Sequence, residues 1–245
     1  MSTDLASAVQ SLNTTSVLQL LSDATFDTDH LEDLVAAYLS SCRSSPARTS
    51  EYTSFLLDLE ASGKLPKITI TRGDGASYEE TFAAMMRREV FESIRDLLNA
   101  DDDHQVHAEN PYLIAALVSG TSTRLGLCSC SDQTANITQG LQLDPYQDKT
   151  TDAGKIQIRA IHAVLAVLTS GDKYPRYAEA AGAIQVLREN GAVMNQNGKA
   201  LLDVSPSRPF EGSYPTNMGL VQAALVHVQA KQALSSEAAW RLIFP

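Results

Sequence analysis

Few side chains in this sequence have the spacing of a catalytic or metal-binding site. His104 and His107 follow three aspartates at a spacing that lets two imidazoles share a metal on a helix, but this polar stretch predicts a loop. Cys128 and Cys130 have no second cysteine pair at zinc spacing, which favours two buried thiols over a metal centre. The sequence has no nucleophile elbow, phosphate-binding loop or dinucleotide glycine motif. We therefore expect no catalytic residue, metal site or cofactor, and we do not expect an enzyme.

The sparse basic residues are the remaining candidates for a binding site. Each is by default a solvated surface charge. The alternative is a groove in which some of them neutralise phosphates while apolar pockets receive bases, and such a groove requires groups from 64–95 and from 124–176 to converge in space. The candidates for binding single-stranded RNA are Lys64, Lys67, Arg72, Arg87, Arg88, Arg95, Arg124, Lys155, Arg159, Lys173 and Arg176.

The charge balance limits how such a groove would work. The net charge is −10, which argues against a protein that holds nucleic acid mainly through its surface charge. Residues 1–110 carry 8 Lys and Arg against 19 Asp and Glu, a balance of −11, whereas residues 111–245 carry 11 against 10, a balance of +1. The acidity therefore belongs to the first half, and a local basic groove stays open as an interpretation.

Cysteine content and hydropathy bear on the cellular location. Three cysteines cannot form a disulfide framework, which is typical of a reducing, intracellular environment. The sequence shows no apolar run long enough for a membrane span and no secretory leader, so we expect no membrane association.

The periodicity of apolar residues predicts a chain built almost entirely of helices. Alternating residues at 67–72, followed by Gly73-Asp74-Gly75, predict one short strand or hairpin. Residues 120–150 have weak periodicity and predict a loop with room for one short helix, and the prolines within 203–215 predict a linker. The predicted helices span 4–11, 15–22, 28–42, 47–62, 78–99, 110–119, 152–169, 175–190, 216–233 and 235–242. The most apolar of them, at 152–169, should lie at the centre of the core.

The first 25 residues form a predicted flexible arm. They are too short and too weakly apolar for a helix that is stable alone, yet they carry one apolar face that should dock on a neighbouring subunit. The residues proposed for this oligomerisation contact are Val9, Leu12, Val17, Leu18 and Leu21, with a hinge at 22–25. After the arm (1–25), we expect an N-terminal helical lobe at 26–109, a C-terminal helical lobe at 110–202 and a C-terminal extension at 203–245.

Four stretches resemble, in this order, the nucleoproteins of phenuiviruses. Residues 26–38 form a Phe-Asp turn and a Leu/Val helix that ends in Tyr38, and residues 51–64 form an apolar helix that ends near a glycine and a lysine. Residues 111–123 are similar to the alanine-rich central helix of that family, and residues 186–199 to its late helix with an Asn-Gly-Lys turn. Coat proteins of flexuous filamentous plant viruses share this core architecture, so the same residues fit them too.

The resemblance implies a two-lobed, all-α, RNA-wrapping protein whose N-terminal arm docks on the next subunit. We expect an all-α, two-lobed helical bundle with one short β-hairpin, which packages single-stranded RNA as a homo-oligomeric viral nucleoprotein or coat protein in a helical or ring assembly. Its location would be the host cytoplasm and the virion. The alternatives are a helical scaffold or regulatory interaction protein without RNA and, third, an enzyme with a non-local site.

Overall fold

A computed structural model describes residues 3–22, 28–65, 67–71, 73–99, 108–128, 153–173, 226–227, 230 and 232–244; the side chains at 3, 28, 68, 71, 82–83, 93–99, 153–160, 163 and 172 lie outside this description. Helices dominate the described part, together with one two-stranded antiparallel sheet. The predicted all-α class with a short β-hairpin is therefore confirmed. The predicted helix at 175–190, the linker at 203–215 and most of the helix at 216–233 lie outside the described residues.

Eight helices and two strands can be followed in the described part of the chain. They are α1 (Thr3–Gln10), α2 (Thr14–Ser22), α3 (Thr28–Ser44), α4 (Thr49–Ala61), β1 (Ile68–Thr71), β2 (Ser77–Glu80), α5 (Phe82–Asn99), α6 (Pro111–Leu125), α7 (Ala153–Ser170) and α8 (Ser236–Arg241). A short 3-10 turn, Pro46–Arg48, leads from α3 into α4.

Helix α3 buries one apolar face. Leu31, Leu34, Val35 and Tyr38 follow a helical spacing, and all four side chains are buried. The Tyr38 hydroxyl reaches the Thr53 hydroxyl of α4 at 2.9 Å, which joins the two helices by a buried hydrogen bond.

Helix α6 begins as predicted but ends later. The Asn110 side chain accepts hydrogen bonds from the amides of Tyr112 and Leu113, and Pro111 occupies the first turn, where its missing N–H costs nothing. The helix runs to Leu125, so the predicted loop from residue 120 is wrong for its first six residues. Small side chains occupy this extension of the helix, and the Thr123 hydroxyl donates to the Ser119 carbonyl one turn earlier.

The hairpin occupies residues that the sequence assigned to the start of a helix. The prediction placed a helix from residue 78, whereas Ser77–Glu80 form β2, which pairs antiparallel to β1 with Ile70 opposite Tyr78. The turn explains this pairing, because Asp74 Oδ1 accepts from the Ala76 amide and Gly75 adopts a φ of 81°. Helix α5 therefore starts at Phe82, after the second strand.

The buried residues form one contiguous cluster that crosses the predicted lobe boundary at 109 and 110. Helices α6 and α7 pack against each other at its centre, and every residue of α6 from Leu113 to Thr123 is buried. Ile161 and the run from Val164 to Leu168 are buried as well, which confirms the predicted central position of this helix.

The first two helices pack on the same chain. Val9, Val17 and Leu21 are buried in the common core, and Leu12 and Leu18 pack against it while partly exposed. Helix α1 lies against α3, and α2 lies against α4. The apolar face expected to dock on a neighbouring subunit is thus already covered within the chain, because burying it there removes it from water without a partner. The hinge falls largely outside the described residues.

The C-terminal segment 232–244 belongs to the same core. The Leu234 amide donates to the Leu168 carbonyl at the end of α7. A side chain on Gly171, whose φ is 59°, would meet Ala233 Cβ at 2.6 Å, so the segment lies directly on that turn. Trp240 and Ile243 are buried beyond it.

Candidate nucleic-acid interface

Two of the predicted RNA-binding cations lie beside the hairpin and have acidic partners. Lys67 Nζ lies 3.0 Å from Glu79 Oε2 on the opposite strand, and Arg88 Nη1 lies 3.5 Å from Glu80 Oε2. The Lys67–Glu79 pair is largely open to solvent, where an ion pair stabilises the fold by at most about 1 kcal/mol, whereas Glu80 is partly buried and its Oε2 atom is shielded from solvent. These carboxylates also repel a phosphate, so the hairpin surface is one of alternating charge.

Arg87 is tied to the end of α4. Its Nη2 donates to both oxygens of Glu60, at 3.0 and 3.1 Å, and this contact joins α5 to α4 across the helix interface. Its Nε is buried without a hydrogen-bond partner. Arg87 therefore has a structural partner that a phosphate would have to displace.

Arg124 differs from the other described cations. It lies at the end of α6, is half-buried, and its Nη2 donates to Ser50 Oγ at 3.0 Å. Burial lowers the pKa of the guanidinium, because desolvation disfavours its charge. Its Nε has no hydrogen-bond partner, and no described carboxylate pairs with it. Arg124 is therefore a partly desolvated cation without a counter-charge in the described part of the chain.

Two serines that the sequence did not single out complete the surroundings of Arg124. The Ser50 hydroxyl accepts from Arg124 and from the Ser236 amide at 3.1 Å. In return, Ser236 Oγ accepts from the Ser50 amide at 2.9 Å and donates to the Ala47 carbonyl at 2.7 Å. Ser50 and Ser236 are 186 residues apart, and no local pattern identifies them. The start of α4, the end of α6 and the C-terminal segment meet at this point.

The remaining predicted RNA-binding residues are exposed or lie partly or wholly outside the described residues. Lys64 is exposed after α4, and Lys173 is exposed at the end of the turn that follows α7. Arg72 and Arg176 lie outside the described residues. The backbones of Arg95, Lys155 and Arg159 lie in α5 and α7, but their side chains are not described.

The predicted convergence of basic groups is not seen among the described side chains. Arg87 contacts α4 at Glu60 and Arg124 contacts it at Ser50, and these positions are ten residues, or about 15 Å, apart along the helix. Arg87 is paired with Glu60, whereas Arg124 has no carboxylate partner among the described residues. An anion therefore finds at most a local site at Arg124.

Other titratable groups are buried in the core. Burial raises the pKa of the Cys42 thiol to about 12 and that of Tyr38 well above its usual value. A thiol with so high a pKa carries no thiolate at neutral pH and is a poor nucleophile. Both groups are enclosed between helices, so they serve as packing and hydrogen-bonding groups.

Neither a cluster of metal-ligand side chains nor a membrane-spanning helix is present in the described residues. They contain no group of three His, Cys, Asp or Glu side chains that could hold a metal ion. Among the helices that the structure describes, none combines the length and apolarity needed to cross a bilayer.

Comparison with known proteins adds no relative: no protein-family model, no curated protein and no solved structure matches this chain.

Proposed function

We propose that this chain is a non-enzymatic, self-associating protein that packages single-stranded RNA, as a viral nucleoprotein or a filamentous coat protein. The observation that supports this proposal is Arg124, a half-buried guanidinium whose described contacts include no carboxylate. A partly desolvated cation is stabilised strongly by an anion that accepts hydrogen bonds from its unpaired N–H groups. A phosphate oxygen can play this role.

The electrostatics of the chain restrict how RNA would bind. With a net charge of −10 and with Lys67, Arg87 and Arg88 already paired with carboxylates, binding cannot rest on many phosphate contacts. It would instead combine a few phosphate contacts with base stacking or pocket insertion. Such a protein would act in the host cytoplasm and in the virion.

The alternative is a helical scaffold or regulatory interaction protein without RNA. The specific observation that favours it is the same pairing of the basic residues around the hairpin, which leaves a surface of alternating charge there. Such surfaces suit protein partners better than a polyanion.

The replacement Arg124→Gln tests the proposal, with Arg43→Gln on the exposed end of α3 as the matched control. Binding of a labelled single-stranded RNA is measured by fluorescence anisotropy at several salt concentrations. We expect Arg124→Gln to weaken binding about ten- to hundredfold, as for the loss of a charge-assisted hydrogen bond, and to reduce the salt slope by about 0.7. Arg43→Gln should change neither.

The purified wild-type protein provides a second readout. An RNA-packaging protein should carry nucleic acid, seen as a raised 260/280 absorbance ratio, and should form rings or filaments in negative-stain micrographs. Protein that is free of nucleic acid and shows no RNA affinity at low salt would exclude packaging, and the scaffold alternative would take its place.

A further inference from the structure

The Ser50 hydroxyl lies between Arg124 and the C-terminal segment and has an unused proton. A serine hydroxyl accepts two hydrogen bonds and donates one. Ser50 Oγ accepts from Arg124 Nη2 at 3.0 Å and from the Ser236 amide at 3.1 Å, so both of its acceptor positions are filled. Among the described residues, no acceptor receives the Ser50 proton. The hydroxyl therefore directs a donor away from both Arg124 and Ser236.

Arg124 presents further donors at the same point. A guanidinium has five N–H groups, and the described contacts of Arg124 use one of them, the Nη2 bond to Ser50. Its Nε is buried without a hydrogen-bond partner. Arg124 and Ser50 are each only partly buried, so a ligand reaches them from solvent. The two side chains together offer one cationic and one neutral donor to a ligand that carries several acceptor oxygens.

The charges around Ser50 also favour an anion. Ser50 lies in the first turn of α4, where the helix dipole is positive. Glu51 Oε2 lies 2.8 Å from Arg48 Nε, and Glu237 forms an ion pair with Arg241. In the described part of the chain, the carboxylates that adjoin this point in the sequence are thus compensated by arginines of their own.

We propose that Ser50 is a second phosphate ligand, which donates to one non-bridging oxygen of an RNA phosphodiester while Arg124 donates to the other. A phosphodiester spreads a single negative charge over these two oxygens, so one cation and one neutral hydroxyl match its charge and its acceptors. Hydroxyl side chains are common partners of phosphate in nucleic-acid interfaces. This inference rests on the proposed function, because RNA is its ligand.

The C-terminal segment positions the Ser50 hydroxyl. Without the Ser236 amide, the hydroxyl would have an empty acceptor position and would be free to rotate toward the carbonyl of the preceding turn, a bond that Thr53 already makes to Thr49 in the same helix. The amide holds Ser50 Oγ in place from a residue 186 positions away. We therefore expect RNA affinity to depend on a backbone N–H of the segment that does not itself contact RNA.

Replacements of Ser50 test the ligand role in RNA anisotropy titrations. Ser50→Ala should weaken binding about three- to tenfold, as for one neutral hydrogen bond, and should leave the salt slope unchanged because the hydroxyl carries no charge. Ser50→Thr keeps the donor and should keep most of the affinity. The loss on Ser50→Ala should recur in the Arg124→Gln background, whereas a serine that only holds Arg124 would have no effect there. Ser11→Ala, which removes an exposed hydroxyl after α1, is the control.

Two replacements of Ser236 separate its amide from its hydroxyl. Ser236→Ala and Ser236→Pro both remove Oγ, but only proline also removes the N–H that binds Ser50. Proline is tolerated here, because Ser236 is the first residue of α8 and Ser235 before it has an extended ψ of 157°. Ser236→Pro should bind RNA several-fold more weakly than Ser236→Ala, and the two should be equal in the Ser50→Ala background. Trp240 fluorescence checks that the segment stays docked.

The outcomes separate the site from the function. RNA binding that Ser50→Ala leaves unchanged would overturn the ligand role while packaging stands, and equal binding by both Ser236 variants would overturn the positioning role. If the wild type binds no RNA, packaging fails, and the site is tested with pyrophosphate at constant ionic strength. A rise in the urea midpoint that Ser50→Ala and Arg124→Gln both lose would retain the phosphate site, whereas no rise in the wild type would overturn it.

Discussion

His162 occupies the middle of α7 and has no exposed surface. Its Nδ1 lies 3.0 Å from the Tyr112 carbonyl oxygen, so the neutral ring donates there, and the Tyr112 ring packs against it edge-on at 5.1 Å. Its Nε2 is buried without a hydrogen-bond partner. Burial lowers the pKa of His162 to about 4, because the charged ring would lose its hydration, and the hydrogen bond to Tyr112 opposes this shift only in part. This histidine belongs to the core and is not a site for chemistry.

Its buried position predicts acid-sensitive stability. The unfolded chain binds a proton at His162 near pH 6.5 and the folded chain only near pH 4. The contribution of this residue to the free energy of unfolding is therefore full above pH 6.5 and is lost as the pH falls from 6.5 to 4. Between pH 7 and pH 5 the loss should be about 2 kcal/mol. Urea unfolding of wild type and of His162→Asn, compared at both pH values, isolates this contribution. Equal losses in both proteins would contradict it.

At the scale of elements, the contact between α6 and α7 is unusually close at Gly120. A side chain on Gly120 would overlap Thr169 Oγ1 and the Ala166 carbonyl oxygen of α7. The two helices therefore approach each other at a position where only hydrogen fits. Since α6 is buried over most of its length, the chain cannot relieve such an overlap by moving α6 toward solvent.

The replacement Gly120→Ala should destabilise the fold by about 1–3 kcal/mol or more, because the helices must separate to accept the methyl group. Denaturant melts followed by circular dichroism measure the loss. Adding Thr169→Ala should recover only part of it, since the clash with the Ala166 carbonyl remains. Gly73→Ala is the control, because a side chain there meets no atom within 4 Å. A Gly120→Ala protein as stable as this control would show that the helix contact is not tight.

At the scale of the whole molecule, the C-terminal segment ties distant parts of the chain together. Leu234 binds the end of α7, Ser236 binds the start of α4, and Trp240 packs against Phe244 at 4.6 Å between ring centres while only 7% exposed. Within the predicted C-terminal extension, the segment 232–244 thus packs on the core.

Trp240 is the single tryptophan of the chain, so its fluorescence reports on the docking of this segment. If the segment folds together with the helices of the core, the loss of Trp240 fluorescence and the loss of helical circular dichroism should share one urea midpoint and one slope. A fluorescence transition at clearly lower urea would mean that the segment detaches first and that the core is complete without it.

The sequence alone was enough for features that depend on neighbours within about one helical turn. The apolar face of α3, the start of a helix near residue 110, and the existence of a hairpin after residue 67 all follow from side-chain spacing, helix-start signals and turn residues. The predicted list of basic candidates included Arg124, although nothing in the sequence distinguished it from Arg87.

Only the tertiary structure decided which charges are paired and which apolar faces are covered. Arg87 binds Glu60, 27 residues away in the sequence, and Ser50 binds Ser236, 186 residues away. No local sequence pattern predicts either contact. The apolar face of the first two helices is compatible with a docking surface or with part of a core, and in this structure it packs on α3 and α4. Local periodicity fixes which face of a helix is apolar, but the partner of that face is chosen by the packing of the whole chain, in which contacts distant in sequence compete for the same surface.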